Sequence, residues 1–311
     1  MNHKKKNILI SGLFNIETTV QIKSFPIAYF PIDYPYFGVN SSVSGVAVNV
    51  AKAEKMLGNE VNVLSIVGKD FEGDTIINNM KLEGFETNYI KRDMEKSPAT
   101  VILFDEEGKR QIYCDLKDIQ EKDYKMSDAE AALDMCDIAV ICNINFNRDL
   151  LKAAKNKGKI IATDVHVLGD IKDEYNKDFM EAADILFLSD ENIEGEHKQF
   201  ITKIKDTYNV KIIVLGRGKQ GAMLYIREED AIYEMKAVTL GKVVNTAGAG
   251  DALFSAFINY YVKGFSPLEA LKRAETFASY KIGFNGASTG FIEEETLEEI
   301  YKEMKYEYKK L

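Results

Sequence analysis

The sequence predicts an α/β protein with a doubly wound, mostly parallel sheet, helices on both faces and a small second β-sheet. Short runs rich in valine and isoleucine alternate with amphipathic stretches along most of the chain. The runs lack the period-2 alternation of half-exposed strands, which indicates strands covered on both faces. Several amphipathic stretches end near glycines, which supply left-handed helix caps. Repeated strand–helix alternation of this kind produces a parallel sheet with helices on both sides.

The individual elements can be placed in chain order. The strand candidates are residues 8–11, 61–67, 138–142, 160–164, 185–189 and 211–215. The helix candidates between them are residues 46–57, 75–82 and 148–156, each with a glycine within two residues of its end. Residues 266–269 (Ser-Pro-Leu-Glu) combine an N-cap serine, a proline at the first helical position and a capping-box glutamate, so another helix begins there. A strongly charged last helix is expected around residues 294–309.

Two stretches depart from this alternation. Residues 18–40 contain aromatic residues and three prolines without a helical period. Residues 99–105 and 110–114 flank a Glu-Glu-Gly turn, as in a β-hairpin. Together these stretches predict a small sheet outside the main layer, placed to act as a lid. We therefore expect one domain over residues 1–311, with the lid formed by inserted segments at about 16–40 and 97–116.

Composition argues against two classes of partner. The 311 residues are 46% hydrophobic, which is enough for a full core. The net charge of −9 and the shortness of basic clusters such as residues 4–6 argue against nucleic-acid binding. No apolar run approaches the roughly 18 residues of a membrane helix, so we expect no membrane partner and a cytoplasmic location. Cys114, Cys136 and Cys142 form no Cys-x-x-Cys pair and are expected to be reduced, buried thiols.

Residues 245–251 (Asn-Thr-Ala-Gly-Ala-Gly-Asp) carry the sharpest functional signal. They follow a predicted short strand at 242–244 and precede an apolar helix at 252–262. Small residues let the backbone approach a ligand closely, and a helix N-terminus offers unpaired N–H groups to an anion. Asp251 then has two interpretations, a helix-capping carboxylate or a base that accepts the proton of an attacking hydroxyl. The run of small residues in front of it favours the base.

The same residues resemble a known family. Gly-Ala-Gly-Asp at 248–251 resembles the C-terminal signature of the ribokinase family, the PfkB-type carbohydrate kinases, which reads Asp-Thr-x-Gly-Ala-Gly-Asp. Residues 44–51 (Ser-Gly-Val-Ala-Val-Asn-Val-Ala) resemble its N-terminal Gly-Gly-x-x-x-Asn-x-Ala, and residues 66–73 its Gly-x-Asp-x-x-Gly turn. Arg110, after Gly108, resembles the family's lid hairpin. The resemblance covers nearly the whole chain, with both signatures in the right order.

The resemblance implies transfer of the γ-phosphoryl group of ATP, carried with Mg²⁺, to a hydroxyl of a small sugar. It makes Asp251 the catalytic base and Gly248, Ala249 and Gly250 the anion hole. The positions that it implies for substrate binding are Asn15, Glu17, Gly45 and Asn49. Those that it implies for ATP binding are Asp190, Gly216, Gly218, Gly221 and Thr246. No residue is assigned as a ligand of a protein-held metal ion.

A second glycine cluster, residues 216–221, matches the dinucleotide fingerprint G-x-G-x-x-G. That fingerprint requires a helix immediately afterwards, whereas residues 222–226 are typical of a strand, so a dinucleotide oxidoreductase is disfavoured. Two interpretations stay open, a hairpin turn without a ligand and, from the resemblance, a turn that lines the nucleotide pocket. Residues 164–166 (Asp-Val-His) are more typical of hydrogen-bonded structure than of a metal site.

Several positions differ from the family pattern. Glu17 stands where aspartate is usual, and Ser44 replaces the first glycine of the N-terminal signature. Residues 190–192 (Asp-Glu-Asn) stand where the family has Asn-x-x-Glu, and Gly216 stands where threonine is common. Asn245 replaces the aspartate that opens the C-terminal signature. These changes leave the identity of the substrate and activation by a monovalent cation such as potassium open.

The leading hypothesis is a sugar kinase. A nucleoside kinase of the same family is the first alternative, because a ribose presents a similar primary hydroxyl. A non-catalytic sugar- or nucleotide-binding sensor is the alternative of another class, although pure binding needs no base at Asp251. Asn15 and Glu17, two residues apart on one side of a strand, predict a neutral sugar or nucleoside over an acidic one. The outer face of the lid is expected to pack against a second subunit in a homodimer.

Overall fold

The computed structural model describes residues 4–311. Its strands are β1 Asn7–Ser11, β2 Asn15–Gln21, β3 Val39–Ser44, β4 Glu60–Gly68, β5 Ile90–Met94, β6 Ala99–Phe104, β7 Arg110–Asp115, β8 Ile138–Ile141, β9 Ile160–Val167, β10 Ile185–Ser189, β11 Ile212–Gly216, β12 Ala222–Ile226, β13 Ala231–Met235 and β14 Tyr308–Lys310. Its helices are α1 Val46–Met56, α2 Phe71–Leu82, α3 Met126–Met135, α4 Arg148–Asn156, α5 Lys177–Ala182, α6 His197–Thr207, α7 Ala249–Val262, α8 Pro267–Lys281 and α9 Glu294–Glu303.

The main sheet has ten strands in the order β14-β13-β12-β11-β10-β9-β8-β1-β4-β5. It is parallel from β5 to β11, and β12, β13 and β14 add antiparallel strands at one edge. Its two faces bury two separate cores: Ile8 and Ile10 of β1 belong to one, and Leu9 between them belongs to the other. Both faces are therefore covered by helices, which explains why these strands lack alternation. The predicted doubly wound fold is confirmed.

The second sheet has four strands in the order β3-β2-β6-β7. β2 pairs with β3 in antiparallel and with β6 in parallel orientation, while β6 and β7 form the predicted antiparallel hairpin. The two stretches that depart from the strand–helix alternation, at 18–40 and 99–114, thus pair into one small sheet. Because β2 follows β1 after three residues and α1 follows β3 after one, this sheet is attached to the main sheet at the carboxyl end of β1.

Two predicted helix boundaries are wrong. α2 begins at Phe71 and not at residue 75, because the Asp70 side chain caps it by accepting from the Gly73 N–H at 2.9 Å. The helix expected over 294–309 ends at Glu303, and β14 then extends the main sheet by pairing with β13. The charge pattern alone predicts a helix for these last residues, but residues 308–310 pair with the edge strand β13 instead.

Two further predictions are corrected. Residues 242–244 form no strand, because the backbone N–H of Val244 donates to the carbonyl of Ile282 (2.8 Å), just past the end of α8, and no strand lies alongside. Cys136 and Cys142 are buried as expected, but Cys114 is exposed because it lies on the exposed strand β7. No helix within residues 4–311 combines the length and the apolar character needed to cross a membrane.

Candidate active site

The predicted site residues meet where three segments of the chain come together. Asn15 and Glu17 lie on β2, which continues from the carboxyl end of β1. Asn49 lies in the first turns of α1, directly after β3. Asp251 lies in the first turn of α7, which packs against α1. The fold therefore brings three parts of the chain that are remote in sequence to the carboxyl edge of the sheet, where ligands of such folds bind.

A chain of polar side chains joins Glu17 to Asp251. The Asn49 Nδ2 group donates to Asp251 Oδ2 at 2.7 Å. The Ser44 hydroxyl lies 3.2 Å from Glu17 Oε2 and 3.3 Å from Asn49 Oδ1, so its single proton serves one of them at a time. Glu17, Ser44 and Asn49 are all buried. The two carboxyl groups are thus linked through two neutral side chains, Ser44 and Asn49.

The pKa of Asp251 is raised by burial, and the negative charge of Asp164 raises it further. The Asn49 hydrogen bond and the nearby charges of His166 and Lys281 act in the opposite direction. A raised pKa makes a carboxylate a stronger proton acceptor than a fully hydrated one, and bonds to its ionised form keep it available as a base. The environment of Asp251 is consistent with a general base.

Glu17 and Asn15 each carry a buried hydrogen-bond acceptor on β2. The pKa of Glu17 is also raised by burial and by Asp251, while the Ser44 hydrogen bond, Lys281 and Arg110 lower it. Asn15 Nδ2 donates to Thr100 Oγ1 at 2.6 Å, but its Oδ1 is buried and has no hydrogen-bond partner within residues 4–311. A buried unpaired oxygen is costly, so Asn15 Oδ1 is suited to accept a hydrogen bond from a bound ligand.

The turn before α7 has the geometry of an anion site. Gly248 adopts φ +75°, and a Cβ there would lie 2.3 Å from the carbonyl oxygen of Ala287, so only glycine fits. The Ala249 N–H donates to the carbonyl of Thr246 at 3.2 Å. The backbone N–H groups of Gly250 and Asp251 have no partner in the described part of the chain. These two N–H groups at the positive end of the helix are therefore free to bind an anion.

Side chains hold this turn in place. Asn245 Oδ1 accepts from the Ala247 N–H at 2.8 Å, and its Nδ2 donates to Asn285 Oδ1 at 2.8 Å. The Lys281 ammonium group donates to the carbonyl oxygens of Ala247 and Gly286. Asn245, which replaces an aspartate of the family pattern, thus still orders the backbone ahead of Gly248.

Gly45 has a structural reason to be glycine. It precedes α1 with φ +115°, and a Cβ there would lie 2.3 Å from the carbonyl oxygen of Leu13. Any side chain would separate the start of α1 from the chain between β1 and β2, and would displace Asn49 with it. A direct contact between Gly45 and substrate stays a prediction.

The residues expected to bind the nucleotide fall into two places. Asp190 follows β10 and Gly216 ends the neighbouring strand β11, and the Asp190 N–H donates to the Gly216 carbonyl at 3.1 Å. Gly218 and Gly221 lie in the turn between β11 and β12, the strand expected at 222–226. A Cβ at Gly221 would lie 2.2 Å from the carbonyl of Met235, so this glycine is required by packing. Thr246 is exposed on the anion-hole turn. Contact with ATP stays a prediction for all five.

The Asp-Val-His segment at the end of β9 uses its carboxylate as a hydrogen-bond acceptor. Asp164 Oδ1 accepts from the backbone N–H of His166 at 2.8 Å, and Asp164 Oδ2 lies 3.6 Å from His166 Nδ1. His166 adopts φ +58°. Residues 4–311 contain no group of three or more histidine, cysteine, aspartate or glutamate side chains arranged to hold a metal ion.

Comparison with known proteins decides the family. The family model described as pfkB family carbohydrate kinase matches residues 36–294. The chain belongs to this family. It is similar to 5-dehydro-2-deoxygluconokinase of Clostridium perfringens, with 25% identity over 300 residues and 86% of each chain covered. This pfkB-family kinase also shares its fold with the microbiome-derived acarbose kinase Mak1 (TM-score 0.86, 22% identity, 96% and 100% of the two chains).

A further solved structure shares the fold. Arabidopsis thaliana ribokinase, solved in complex with ribose and ATP, matches with a TM-score of 0.79 and 18% identity over 96% of this chain and 99% of that one. The pfkB-family chain described here is an ATP-dependent carbohydrate kinase: it transfers a phosphoryl group from ATP to a hydroxyl of a small sugar.

Sequence reasoning missed two residues of this kinase's site. Ser44 departs from the family glycine, and its hydroxyl bridges Glu17 and Asn49, which no local sequence pattern indicates. The sequence does contain a signal for Lys281: Ala270, Ala274, Phe277 and Lys281 follow helical spacing and are all buried. A lysine on the core-facing stripe of a helix is unusual, and that position is the signal by which Lys281 could have been found.

Proposed function

We propose that this pfkB-family kinase phosphorylates a neutral small sugar and uses Asp251 as the general base. The observation that carries the assignment is the Asn49–Asp251 hydrogen bond, 2.7 Å long, beside the free N–H groups of Gly250 and Asp251. A base and an anion site are thus adjacent at one helix N-terminus. That is the arrangement that phosphoryl transfer to a hydroxyl requires.

The reaction follows from these positions. The sugar hydroxyl oxygen attacks the γ-phosphorus of ATP, the bond from that phosphorus to the bridging oxygen of ADP breaks, and the hydroxyl proton passes to the Asp251 carboxylate. The backbone N–H groups of Gly250 and Asp251 stabilise the negative charge on the transferred phosphoryl group. The products are a sugar phosphate and ADP. Asn49 orients the Asp251 carboxylate and keeps it ionised until the proton arrives.

Mg²⁺ carried by the nucleotide fits the residues present. Mg²⁺ in kinase sites is bound through one or two carboxylates together with the phosphates. Asp190, half-buried after β10 and 3.6 Å from His197, offers one such carboxylate close to Gly216. When bound, the ion would neutralise charge on the phosphates. We assign no other residue to it, because Glu191 is exposed and pairs with Arg110 at 3.7 Å.

The choice of a neutral sugar rests on Asn15 and Glu17. The unpaired Asn15 Oδ1 has the capacity to accept a hydrogen bond and the Glu17 carboxyl already lies beside the Ser44 hydroxyl, and vicinal hydroxyls of a sugar can donate to both acceptors. A carboxylate or phosphate on the substrate would repel Glu17 and Asp251, two carboxyl groups whose charges already interact. Buried acceptors of this kind reject a ligand that lacks the matching donors.

Release of ADP across a matched panel tests this proposal. The panel contains free sugars, their 6-phosphates, sugar acids and nucleosides, each with ATP and Mg²⁺. We expect the highest kcat/KM on a free sugar. A nucleoside as the best substrate would select the alternative nucleoside kinase, and a sugar phosphate or acid would overturn the assignment of Glu17. Absence of ADP release together with measurable sugar or nucleotide binding would favour the non-catalytic sensor.

The small sheet is proposed to act as a lid and as a dimer interface. Its inner side carries Asn15 and Glu17, so movement of the sheet would open or close the substrate site. Its other residues include exposed apolar side chains, Val39, Val101, Ile112 and Tyr113, and a second copy of the chain is the proposed partner. Light scattering should give the mass of a dimer, which Ile112→Lys should reduce. A wild-type monomer would exclude this arrangement.

A cytoplasmic location also stays a prediction.

A further inference from the structure

Lys281, the last residue of α8, is a lysine without any exposure to solvent. Its ammonium group donates to the carbonyl oxygens of Ala247 and, at 2.7 Å, of Gly286. Both partners are main-chain oxygens, and neither is a carboxylate. A buried charge is destabilising unless other groups compensate it, and an apolar side chain of similar length would fill the same space. The charge of Lys281 therefore requires an explanation other than packing.

The two carbonyl groups belong to two neighbouring turns, the proposed anion-hole turn before α7 and the loop after α8. Ala247 directly precedes Gly248, and Gly286 lies in the loop after α8. The turns are in close contact, because a Cβ at Gly248 would lie 2.3 Å from the Ala287 carbonyl oxygen. Lys281 binds one carbonyl from each turn. It thereby fixes the backbone whose next N–H groups are predicted to bind phosphate.

The charge of Lys281 also acts on the reaction centre. Burial lowers the pKa of Lys281 to about 8, while the negative charges of Asp251 and Glu17 act in the opposite direction. Conversely, Lys281 lowers the pKa of both carboxyl groups. The ammonium group is thus within electrostatic range of the proposed base and of the proposed substrate ligand. A phosphoryl group positioned at the start of α7 would lie within the same range.

We propose that Lys281 is a built-in cation of the phosphate site: it holds the anion-hole turn through Ala247 and Gly286, and its charge offsets the negative charge of the transferred phosphoryl group. This positioning role rests on the proposed function of Asp251. A monovalent metal ion would supply the same charge by binding the same main-chain carbonyls, but the ammonium group already occupies them. The enzyme should therefore need no potassium. The replacement of the family aspartate by Asn245 does not decide this point by itself, whereas the two occupied carbonyls do.

The experiment compares Lys281→Ala with Lys281→Met. Both remove the charge, but alanine leaves room for a small cation, whereas methionine fills it. We expect kcat to fall on the order of tenfold to a hundredfold in both variants. The sugar KM should change by less than about threefold, because the proposed role of Lys281 includes no contact with the sugar. Added potassium, ammonium or methylammonium ions should restore much of the kcat of Lys281→Ala. They should leave Lys281→Met unchanged, and choline, which is too large, should restore neither.

Wild-type enzyme supplies a test that needs no variant to fold. Its kcat should be equal in potassium, sodium and choline chloride at matched ionic strength. Strong activation by potassium would overturn the proposal, and so would full kcat in folded Lys281→Met or failure of every small cation to restore Lys281→Ala. These failures differ from failure of the proposed function, which would appear as activity in Asp251→Asn. If Asp251→Asn is inactive while Lys281→Met is fully active, only the inference about Lys281 is wrong.

Discussion

Asn49 on α1 and Asp251 on α7 lie 202 positions apart in the sequence and are joined by a hydrogen bond of 2.7 Å. The bond is donated by a neutral amide to a carboxylate whose pKa is raised by burial. It therefore stabilises the ionised form of Asp251, the form that a general base needs. α1 and α7 pack directly against each other, so their contact sets the distance between these two side chains.

Loss of this hydrogen bond should shift the pH dependence of the reaction. Activity falls as the pH decreases through the pKa of Asp251, because protonated Asp251 accepts no proton. In Asn49→Leu that pKa should rise further, since a hydrogen bond to a charged group is worth about 1.5–3 kcal/mol and about 1.4 kcal/mol corresponds to one pKa unit. The acid limb of the kcat profile should move to higher pH by about one unit or more.

Ser44→Ala is the matched control for that shift. It removes a hydroxyl of the same network, but the hydroxyl contacts Glu17 and Asn49 and no oxygen of Asp251. Its acid limb should stay close to that of the wild type. An unchanged acid limb in Asn49→Leu would show that the hydrogen bond does not control the ionisation of Asp251.

Two glycines in the anion-hole turn should respond differently to substitution. A Cβ at Gly250 meets no atom within 4 Å, so Gly250→Val should fold and crowd the space reserved for phosphate. We expect its ATP affinity to fall at least about tenfold, about 1.4 kcal/mol, and turnover to be lost. Gly248→Ala would clash with the Ala287 carbonyl and should destabilise the protein instead. Calorimetry and urea unfolding separate the two effects, and unchanged ATP affinity in Gly250→Val would mean that the phosphates bind elsewhere.

Substitutions of Glu17 should act on substrate choice. Glu17→Asp shortens the side chain and moves its oxygens away from the Ser44 hydroxyl, so it should change the ratio of KM values between sugars more than it changes kcat. Glu17→Gln keeps the length but loses one charged acceptor. It should weaken binding most for a sugar with vicinal hydroxyls, by about 1.5–3 kcal/mol. Steady-state kinetics on three sugars measures both effects, and wild-type values for both variants would remove Glu17 from the substrate site.

A buried carboxyl outside the site should make stability depend on pH. Glu54 of α1 is fully buried, accepts from Asn59 Nδ2 at 2.7 Å, and burial raises its pKa from 4.5 to about 8. Between these two values the unfolded chain loses the Glu54 proton while the folded chain keeps it. Stability is therefore lost as the pH rises through this window, and no further loss occurs above pH 8.

Glu54→Gln cannot ionise and should remove that loss. At pH 7 the variant should be more stable than the wild type by roughly 3.5 kcal/mol, because pH 7 lies 2.5 units above 4.5 and each pKa unit corresponds to about 1.4 kcal/mol, and the two should converge near pH 4.5. Urea unfolding at pH 5 and pH 7.5 measures the difference. Glu106→Gln, on an exposed turn, is the control and should show no such change. Equal pH dependence in wild type and Glu54→Gln would contradict a raised pKa.

The central part of the fold could be predicted because its strands are buried on both faces. Such strands appear in sequence as unbroken apolar runs, and residues 185–189 match β10 at both ends. The edges were less predictable, because β14 exists only by pairing with β13 and its own residues are exposed and charged. Residues 242–244 were equally unpredictable, because the Val244 N–H bonds to the carbonyl of Ile282 at the end of α8 and not to another strand.

The residues of the candidate site also divide into those that the sequence could predict and those that it could not. Asp251 and Gly250 belong to a local signature, so their roles could be proposed from neighbouring residues alone. The Ser44 hydroxyl bonds to Glu17, 27 positions away, and the Lys281 ammonium group bonds to the carbonyl of Ala247, 34 positions away. No local sequence pattern indicates these partners. Gly221 shows the converse case. It belongs to a local glycine pattern that suggests a ligand, but its close approach to the Met235 carbonyl explains the glycine without any ligand.

The most direct test of the account is the turnover of Asp251→Asn, measured together with its affinity for ATP. The amide has nearly the shape of the carboxylate but cannot accept the proton of the sugar hydroxyl. We predict a kcat at least about a hundredfold below wild type, the lower range for loss of a general base, with ATP affinity by calorimetry close to wild type. A variant that binds ATP normally and turns over at the wild-type rate would contradict the assignment of Asp251 as the base.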